Sequence, residues 1–372
     1  MKICFLTHNV RQDNGAGVFS RRIIKGAQDE FGSDAVAVVT SAPAGEPYET
    51  ALLRPGALSL LMALPRIRSI IRTCDVVHAL DVFPYGLVAV LASLGMGKRV
   101  IITATGSNSI IPLYSVLHRP LVAWAYRRAD HLTAISAFTR DEVLKKVPDL
   151  TIEVLNHGVD ADFFARADGA HYDVSQFKPY ILGVGQLRWR KGYHLSIKAF
   201  AKVKKQFPEL SYVIVGNRFA DDYYGRLRRV IREEGLEGSV VMLEDVDTRE
   251  KLADVYRRAE LFCLFSQNVG HDVEGFGLVF LEAAAAGLPV VGSKNCGIDD
   301  AVREGENGIL VATRSPDDFA SAILAILGNP DKKKAMVSSS LAFARIMTWD
   351  HKIARYIELY RKLISTNTTG DF

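Results

Sequence analysis

Two glutamates stand eight positions apart in a segment that is otherwise apolar. Glu274 opens the glycine-containing turn Glu274-Gly275-Phe276-Gly277, and Glu282 follows about one turn into an Ala-rich stretch that we expect to be helical. Burying a carboxylate among Phe, Leu and Ala side chains is costly unless it has polar partners. Ionised carboxylates only accept hydrogen bonds, which suits the hydroxyl groups of a small ligand. The pair therefore predicts a ligand site, whereas the simpler interpretation is two solvated glutamates.

Glycines beside these residues point to a phosphate group. Gly275 and Gly277 let backbone N–H groups approach a ligand closely, and the N-terminus of the predicted helix directs partial positive charge at it. There are two further glycine turns: residues 15–17 follow the first predicted strand, and residues 183–185 end the first predicted strand of the second half. A dinucleotide fingerprint needs a third glycine, and these turns have Ser20 and Arg188 at that position. Hydride transfer with NAD is therefore a weak alternative.

An α/β framework must position these candidates. Apolar β-type runs alternate with helical segments, which is typical of parallel sheets with crossover helices. A polar stretch at 165–178 separates two such series, so we predict two doubly wound Rossmann-like domains facing a central cleft. The predicted strands are 2–7, 35–40, 76–79, 100–103, 131–134 and 152–155 in the first series, and 180–184, 212–215, 240–243, 261–265, 289–292 and 308–311 in the second. The tail at 330–364 is predicted to be helical.

Composition narrows the class of protein. A chain of 372 residues with 48% apolar content is long enough for two packed domains. Its net charge of +4 gives no reason to expect a nucleic-acid partner. The four cysteines have no metal-ligand spacing, which indicates a reducing compartment, and the chain shows no signal peptide or membrane-spanning run. We therefore predict a cytoplasmic protein.

Positive charge is concentrated between residues 51 and 128. That stretch contains nine Lys or Arg residues and two acids, so its excess of seven is larger than the net charge of the whole chain. Residues 58–71 combine a strongly apolar body with Arg66, Arg68 and Arg72, as an interfacial helix does. The commoner interpretation is an amphipathic helix packed on its own domain. A peripheral contact of the 51–128 region with the inner face of the plasma membrane stands as an open alternative.

The order and spacing of several segments resemble the retaining family 4 glycosyltransferases of the two-domain GT-B fold. The stretch from Glu274 to Glu282 is similar to the family's paired-glutamate motif, and Asp272-Val273-Glu274-Gly275 is particularly similar to bacterial mannosyltransferases. Residues 185–192 resemble the phosphate-gripping loop, and residues 156–160 resemble the segment that ends the N-terminal domain. The likeness covers most of the chain and is strongest in its second half.

This resemblance implies an N-terminal acceptor-binding domain at 1–170, a donor-binding domain at 171–346, and a C-terminal helix at about 347–372 that packs back on the first domain. It implies that Glu274 holds the hydroxyls of the donor sugar, and that Lys191 and Arg190 neutralise the diphosphate. Glu282 would accept hydrogen bonds from the ribose. The other donor-binding residues that it implies are Gly15, Gly17, Gly185, Gln186, Arg188, Phe276, Gly277 and Leu278.

The chain departs from the family at two positions. The family usually has Arg directly after the glycine of the phosphate loop, where this chain has Gln186, and Arg188 is a candidate replacement. The family often has His near the sugar, in the loop where this chain has Thr105. Thr105 is a predicted acceptor or sugar contact. Three more contacts of this kind are predicted, although turn or capping roles suit the first two equally well: Asp13, Asn14 and His78.

The resemblance implies a metal-independent enzyme that moves a hexose, of mannose or glucose type, from a GDP- or UDP-linked sugar to a sugar or lipid-linked acceptor with retention. No cofactor is expected, because the nucleotide-diphosphate sugar is a co-substrate. The expected setting is synthesis of cell-surface polysaccharide, glycolipid or glycoconjugate. A GT-B nucleotide-sugar 2-epimerase and a non-catalytic sugar-nucleotide-binding subunit remain alternatives.

Overall fold

The computed structural model describes residues 1–166, 172–219, 221–312 and 314–365. The chain divides into two compact units. The first comprises residues 1–157 and the C-terminal helix that begins at Trp349, and the second comprises residues 158–348. The predicted boundary at 170/171 falls outside the described residues, as does the end of the predicted C-terminal segment beyond 365.

In the first unit, strands alternate with helices. Its strands are β1 (Ile3–Thr7), β2 (Val36–Thr40), β3 (Glu49–Ala51), β4 (Val76–Ala79), β5 (Arg99–Ala104), β6 (His131–Ala134) and β7 (Glu153–Val154). Its helices are α1 (Gly15–Phe31), α2 (Ala57–Arg72), α3 (Leu87–Ser93), α4 (Ser107–Ile110), α5 (Arg119–Arg128), α6 (Ala137–Leu144) and α14 (Trp349–Ser365).

The second unit repeats this alternation. Its strands are β8 (Tyr180–Val184), β9 (Ser211–Val215), β10 (Val240–Leu243), β11 (Leu261–Leu264), β12 (Val290–Ser293) and β13 (Gly308–Val311). Its helices are α7 (Ala161–Ala165), α8 (Tyr193–Gln206), α9 (Asp221–Glu233), α10 (Arg249–Arg257), α11 (Leu278–Ala285), α12 (Pro316–Leu327) and α13 (Pro330–Ile346). A short 3-10 turn at Trp189–Lys191 lies between β8 and α8.

The two sheets share one winding pattern. The first has the order β3-β2-β1-β4-β5-β6-β7, and the second has the order β10-β9-β8-β11-β12-β13. The pairings of β1 and β8 with their neighbours are parallel. In each sheet the chain winds outward from its first strand and then crosses to the other side of it, so the winding reverses between β1 and β4 and between β8 and β11. Open α/β sheets bind ligands outside the carboxyl ends of the strands at such a reversal.

The central strands are apolar because both of their faces are buried, as is typical of parallel sheets. β4 and β8 are buried at every position. The polar exception is His78 in β4, whose ring nitrogens lie 2.8 Å from the Tyr360 hydroxyl and 2.7 Å from the Thr103 hydroxyl. Burial lowers the pKa of His78 to about 3. His78 is therefore a neutral core residue, which contradicts the predicted acceptor or sugar contact.

Residues directly after His157 belong to the second unit because their packing partners lie there. α7 packs against α10 and α11. The Phe164 ring meets the Tyr256 ring edge to face at 5.6 Å, and Asp160 forms an ion pair with Arg249. The packing partners therefore change between His157 and Gly158, before the polar stretch at 165–178 that contains the predicted boundary.

The predicted helical tail is two helices with a break at residues 347–348. The break is imposed from a distance: Val159 bridges to Thr348 and donates its N–H to the Met347 carbonyl at 2.8 Å. α14 then packs against α1. A Cβ on Gly26 of α1 would lie 2.3 Å from Ile353 Cγ2, so the absence of a side chain there permits the close approach. The contacts change unit after Thr348, close to the predicted start of the C-terminal helix at about residue 347.

Candidate functional site

The loop after β8 lies against the segment after β11, where the winding of the second sheet reverses. Gly185 has φ 144° and Gly192 has φ 66°, backbone conformations that favour glycine. A Cβ on Gly192 would lie 1.8 Å from the Phe265 carbonyl oxygen. Gln267 donates its N–H to the Arg190 carbonyl at 2.7 Å. These backbone contacts form a junction between residues 185–192 and 265–277.

Glu274 accepts three hydrogen bonds in this junction, all on Oε2. Lys191 Nζ lies at 2.6 Å, Arg190 Nη1 at 2.7 Å and Ser266 Oγ at 3.2 Å. Lys191 is 9% exposed and Glu274 is 8% exposed, so water screens these ion pairs poorly. Within the described part of the chain, the hydrogen bonds to this carboxylate leave Oε1 to accept from a ligand.

The two cations keep Glu274 ionised. Burial alone would raise the pKa of Glu274, but the charges and hydrogen bonds of Arg190 and Lys191 outweigh burial and lower the pKa to about 2. Burial lowers the pKa of Lys191, and the pairing with Glu274 opposes that shift. An ionised Glu274 accepts hydrogen bonds from hydroxyl groups and has no proton to donate at neutral pH.

A second carboxylate, that of Asp272, extends this cluster. Its Oδ2 lies 2.8 Å from Arg188 Nη2, and its Oδ1 lies 3.3 Å from Arg190 Nε. Positively and negatively charged side chains therefore alternate along the contacts, in the order Arg188, Asp272, Arg190, Glu274, Lys191. The sequence pattern predicted no role for Asp272. The available signal was its two-residue spacing from Glu274, which places two side chains on the same side of an extended segment.

Glu282 has different surroundings from Glu274. It accepts a hydrogen bond from the Tyr256 hydroxyl at 3.0 Å. Burial raises the pKa of Glu282 to about 6, and the Tyr256 hydrogen bond and the Arg249 charge only partly oppose that shift. A carboxylate in this position gains more from new hydrogen-bond donors than Glu274 does, because it lacks a direct ion pair among the described residues.

The helix that carries Glu282 begins at the same junction. α11 starts at Leu278, and the preceding Gly277 has φ 84° and no side chain with which to cap the helix. Phe276 is buried beside it. The first N–H groups of a helix carry partial positive charge and favour an anion. The donor contacts of Phe276, Gly277 and Leu278 stay predictions.

The predicted glycine turn of the first unit is the first turn of a helix. α1 begins at Gly15, and the side chain of Asn14 caps it by accepting from the Gly17 N–H at 2.8 Å. A Cβ on Gly17 would lie 2.1 Å from the Arg11 carbonyl oxygen, so Gly17 serves a tight backbone contact. Asn14 also donates to Asp13 at 2.7 Å. The capping alternative therefore describes Asn14, and a sugar contact at Asp13 stays a prediction.

Thr105 lies beside an acid whose importance the sequence pattern did not predict. Its hydroxyl donates to Asp81 Oδ2 at 2.7 Å, while the Val82 N–H and the Ser109 hydroxyl donate to Oδ1. Asp81 is 3% exposed and has φ 146°, a conformation that is nearly exclusive to glycine. Burial raises the pKa of Asp81 to about 6 despite these hydrogen bonds. The available signal was a lone acid two residues after the end of a buried strand.

Two family models and several relatives match this chain. The model for Glycosyltransferase Family 4 matches residues 14–163, and the model for Glycosyl transferases group 1 matches residues 171–340. The GDP-mannose-dependent alpha-(1-6)-phosphatidylinositol monomannoside mannosyltransferase of Mycolicibacterium smegmatis is 28% identical over 295 residues, which cover 75% of each chain. A glycogen synthase of Mycobacterium tuberculosis is 31% identical over 266 residues, which cover 69% of this chain and 61% of the relative.

Solved structures identify the fold. Anabaena HepE in complex with UDP matches with a TM-score of 0.80 at 20% identity, over 97% of this chain and 100% of that one. Sucrose-phosphate synthase from Thermosynechococcus elongatus matches with a TM-score of 0.80 at 18% identity, over 98% and 100%. The predicted fold of two Rossmann-like α/β domains of the GT-B class is confirmed. The two family models, together with the curated relatives, show that the chain is an enzyme that belongs to the family 4 glycosyltransferases.

Proposed function

We propose that the chain transfers a hexosyl unit from a nucleotide-diphosphate sugar to an acceptor hydroxyl, with retention at the anomeric carbon and without a metal ion. The observation that carries the proposal is the buried contact of Glu274 with Lys191 and Arg190. It places an ionised acceptor of hydrogen bonds directly beside two cations. That arrangement suits a ligand with sugar hydroxyls on one side and a diphosphate on the other.

Stabilising the departing diphosphate is the main chemical task of the junction. Negative charge grows on the diphosphate as its bond to the anomeric carbon breaks, so fixed cations stabilise the transition state more than the ground state. Lys191 and Arg190 supply this charge. Glu274 already holds both side chains, so little reorganisation accompanies the reaction. The N-terminus of α11 adds the partial charge of its backbone N–H groups.

The proton of the acceptor hydroxyl goes to the leaving group in this proposal. With a pKa of about 2, Glu274 is too weak a base to take that proton. The acceptor oxygen attacks the anomeric carbon on the face that the diphosphate leaves. The carbon–oxygen bond to phosphate breaks, the new carbon–oxygen bond forms, and the proton passes to the departing phosphate oxygen. Attack and departure on one face retain the anomeric configuration.

GDP-mannose is the donor that the relatives favour. The mycobacterial relative at 28% identity is named for its dependence on GDP-mannose, whereas the structure with bound UDP is 20% identical. The name of that relative also describes a lipid-linked acceptor, phosphatidylinositol monomannoside. We therefore propose mannosyl transfer in the synthesis of a glycolipid or another cell-surface glycoconjugate, with UDP-glucose as the rival donor.

A lipid-linked acceptor agrees with the surface of the first unit. Of the twelve large apolar side chains that are exposed among the described residues, eight lie between residues 58 and 121, where positive charge is also in excess. Val116 is 94% exposed and Leu117 is 75% exposed, close to Arg119. On α2, Leu58, Leu61 and Met62 share one exposed helix face. No helix in the described ranges is long and apolar enough to cross a membrane. We propose that this cationic apolar surface contacts an anionic bilayer peripherally.

Vesicle binding tests the membrane contact. The purified chain should co-sediment with vesicles of phosphatidylcholine and phosphatidylglycerol, and much less with phosphatidylcholine alone. Val116→Asp combined with Leu117→Asp should abolish co-sedimentation. Ile346→Asp is a matched control, because Ile346 is an exposed apolar residue of the second unit. Equal binding of wild type and the double variant would remove this surface from the proposal.

Calorimetric titration of the full chain with GDP, UDP and NAD tests the donor site. We expect one nucleoside diphosphate to bind selectively and NAD not to bind. Binding of NAD alone, or of none of the three, would overturn the proposed function. If the nucleotide sugar is consumed without an acceptor and returned as an epimer, the 2-epimerase alternative is correct. If the nucleotide binds and no acceptor supports turnover, the non-catalytic alternative is correct.

A further inference from the structure

Five side chains at the β8/β11 reversal form one chain of ion pairs. Arg188 contacts Asp272 at 2.8 Å, and Asp272 contacts Arg190 at 3.3 Å. Arg190 and Lys191 both contact Glu274 Oε2, at 2.7 and 2.6 Å. Three cations therefore converge on two carboxylates within one junction. The proposed function uses Arg190, Lys191 and Glu274 and gives no task to Asp272, and Arg188 has only the donor-binding role that the family resemblance implies.

Arg188 is held more firmly than a surface arginine ordinarily is. Its guanidinium lies over the Phe219 ring at 4.6 Å and donates to Asp272 at 2.8 Å. The backbone on either side of it is also anchored, because buried Leu187 donates its N–H to the Asn217 carbonyl at 2.9 Å, and Lys191 donates its N–H to the Arg188 carbonyl at 2.9 Å. The side chain is only 27% exposed. Arginine loses much rotamer freedom when a ligand orders it, and an arginine that is already ordered avoids that loss.

Gln186 occupies the position where the family resemblance leads one to expect a phosphate-binding Arg. Gln186 is exposed and neutral, so it donates at most an uncharged hydrogen bond. Arg188 and Arg190 approach the two oxygens of a single carboxylate, Asp272, so their guanidinium groups face the same point. A guanidinium donates two parallel hydrogen bonds to phosphate.

We propose that Arg188 is the second phosphate-binding arginine of the donor site and that Asp272 is its positioning residue. This inference rests on the proposed function, because it assumes that a diphosphate occupies the junction. In it, Arg188 performs the task that a residue directly after Gly185 would otherwise perform. Asp272 does not contact the ligand; it fixes the plane and direction of the guanidinium.

The sign of one measurement separates this role from plain electrostatics. An acid beside an anion site repels the anion, so Asp272→Asn would tighten diphosphate binding if Asp272 only contributed its charge. If Asp272 positions Arg188, the same change weakens GDP and UDP binding about tenfold, the loss expected for a charge-assisted hydrogen bond. Glu306→Gln is a matched control of equal charge change at an exposed position in the same unit, and it should leave the affinity unchanged.

A double-mutant cycle and a rescue complete the experiment. Arg188→Ala should weaken binding at least as much as Asp272→Asn, and the two changes together should be no worse than Arg188→Ala alone. Gln186→Arg should restore affinity in the Asp272→Asn background, which a general structural defect would not allow. Unchanged or tighter binding by Asp272→Asn would overturn the positioning role while the proposed function stands. Failure of the wild type to bind GDP or UDP would overturn both.

Discussion

At the reversal of the second sheet, Glu274 lies between Lys191 and Arg190, whereas at the reversal of the first sheet Asp81 lies among hydroxyl and backbone donors. Both carboxylates are buried. The cations hold the pKa of Glu274 at about 2, but hydrogen bonds from neutral groups do not offset burial for Asp81, whose pKa rises to about 6. One strand order thus supports an edge where the acid is paired with cations and an edge where the acid has only neutral hydrogen-bond donors. The side chains that reach each reversal decide which edge suits an anion.

Glu274→Ala should produce the largest effect on this contrast. The change leaves Lys191 and Arg190 buried beside each other without their shared anion, and removal of one partner from a buried ion pair destabilises by about 3–5 kcal/mol. Sugar transfer should be lost as well. Chemical denaturation and a transfer assay measure the two effects, with Glu306→Ala as a surface control. An unfolding free energy like that of the wild type together with normal turnover would refute the role assigned to Glu274.

Lys191→Ala removes positive charge from the second edge only. Because Lys191 is one of the two cations proposed to neutralise the diphosphate, we expect the affinity for the nucleoside diphosphate to fall about a hundredfold. This change corresponds to about 2.7 kcal/mol. Isothermal titration with GDP or UDP measures the change. An affinity like that of the wild type would remove Lys191 from the phosphate site.

Donor affinity should depend on pH through Glu282. Ribose hydroxyls bind the ionised carboxylate better than the neutral acid, and the pKa of Glu282 without ligand is about 6. Between pH 7 and pH 5 the side chain gains a proton, so affinity for GDP-mannose should fall about tenfold. GDP-mannose is the suitable probe because its diphosphate has no proton to release in this range. Glu282→Gln should show a flat profile, and an equally steep one in that variant would contradict the assignment.

Asp81→Asn should have the smallest effect. The amide keeps the shape of the side chain and can still accept from Thr105, so the loss is about 1 kcal/mol of unfolding free energy for one altered hydrogen-bond network. GDP affinity should not change, because Lys191 and Arg190, which are proposed to bind the diphosphate, lie in the second unit and Asp81 lies in the first. Thermal unfolding and nucleotide titration check both points. A loss near that of Glu274→Ala would mean that the two edges are electrostatically alike after all.

Buried strands were the most predictable part of the fold. β4 and β8 have the predicted bounds, because a strand buried on both faces is a short, nearly continuous apolar run. β6 and β10 also have the predicted bounds, although β10 is an edge strand and only half-buried at its two central positions. β3 was missed because Glu49 and Thr50 at the edge of the first sheet carry no such run. Ser315 and Pro316 supply the N-cap and the first helical residue of α12, which is a local signal for the start of a helix.

Features that depend on distant contacts were not predictable from local pattern. The break at 347–348 exists because Val159 pairs there, far away along the chain. Glu274 was predicted as a site residue from its pairing with Glu282, and Lys191 through the family resemblance, but their direct ion pair was not predicted. No role was predicted for Asp272, because its partners lie more than eighty residues earlier in the chain. Local sequence patterns indicate which residues are candidates for a site, but the sheet reversal determines which of them come into contact.

The close contact between Gly192 and the Phe265 carbonyl fixes, through the main chain alone, how near the two loops lie to each other. Any side chain at Gly192 would push the loop after β8 away from the segment after β11, because a Cβ would lie 1.8 Å from that oxygen. Lys191 and Glu274 would then separate although neither residue had changed. In the proposed function, backbone contacts therefore set the distance between Lys191, which binds the donor's diphosphate, and Glu274, which binds its sugar. A donor with a different spacing between its diphosphate and its sugar should therefore not bind. Exchanging the charged side chains should not restore its binding.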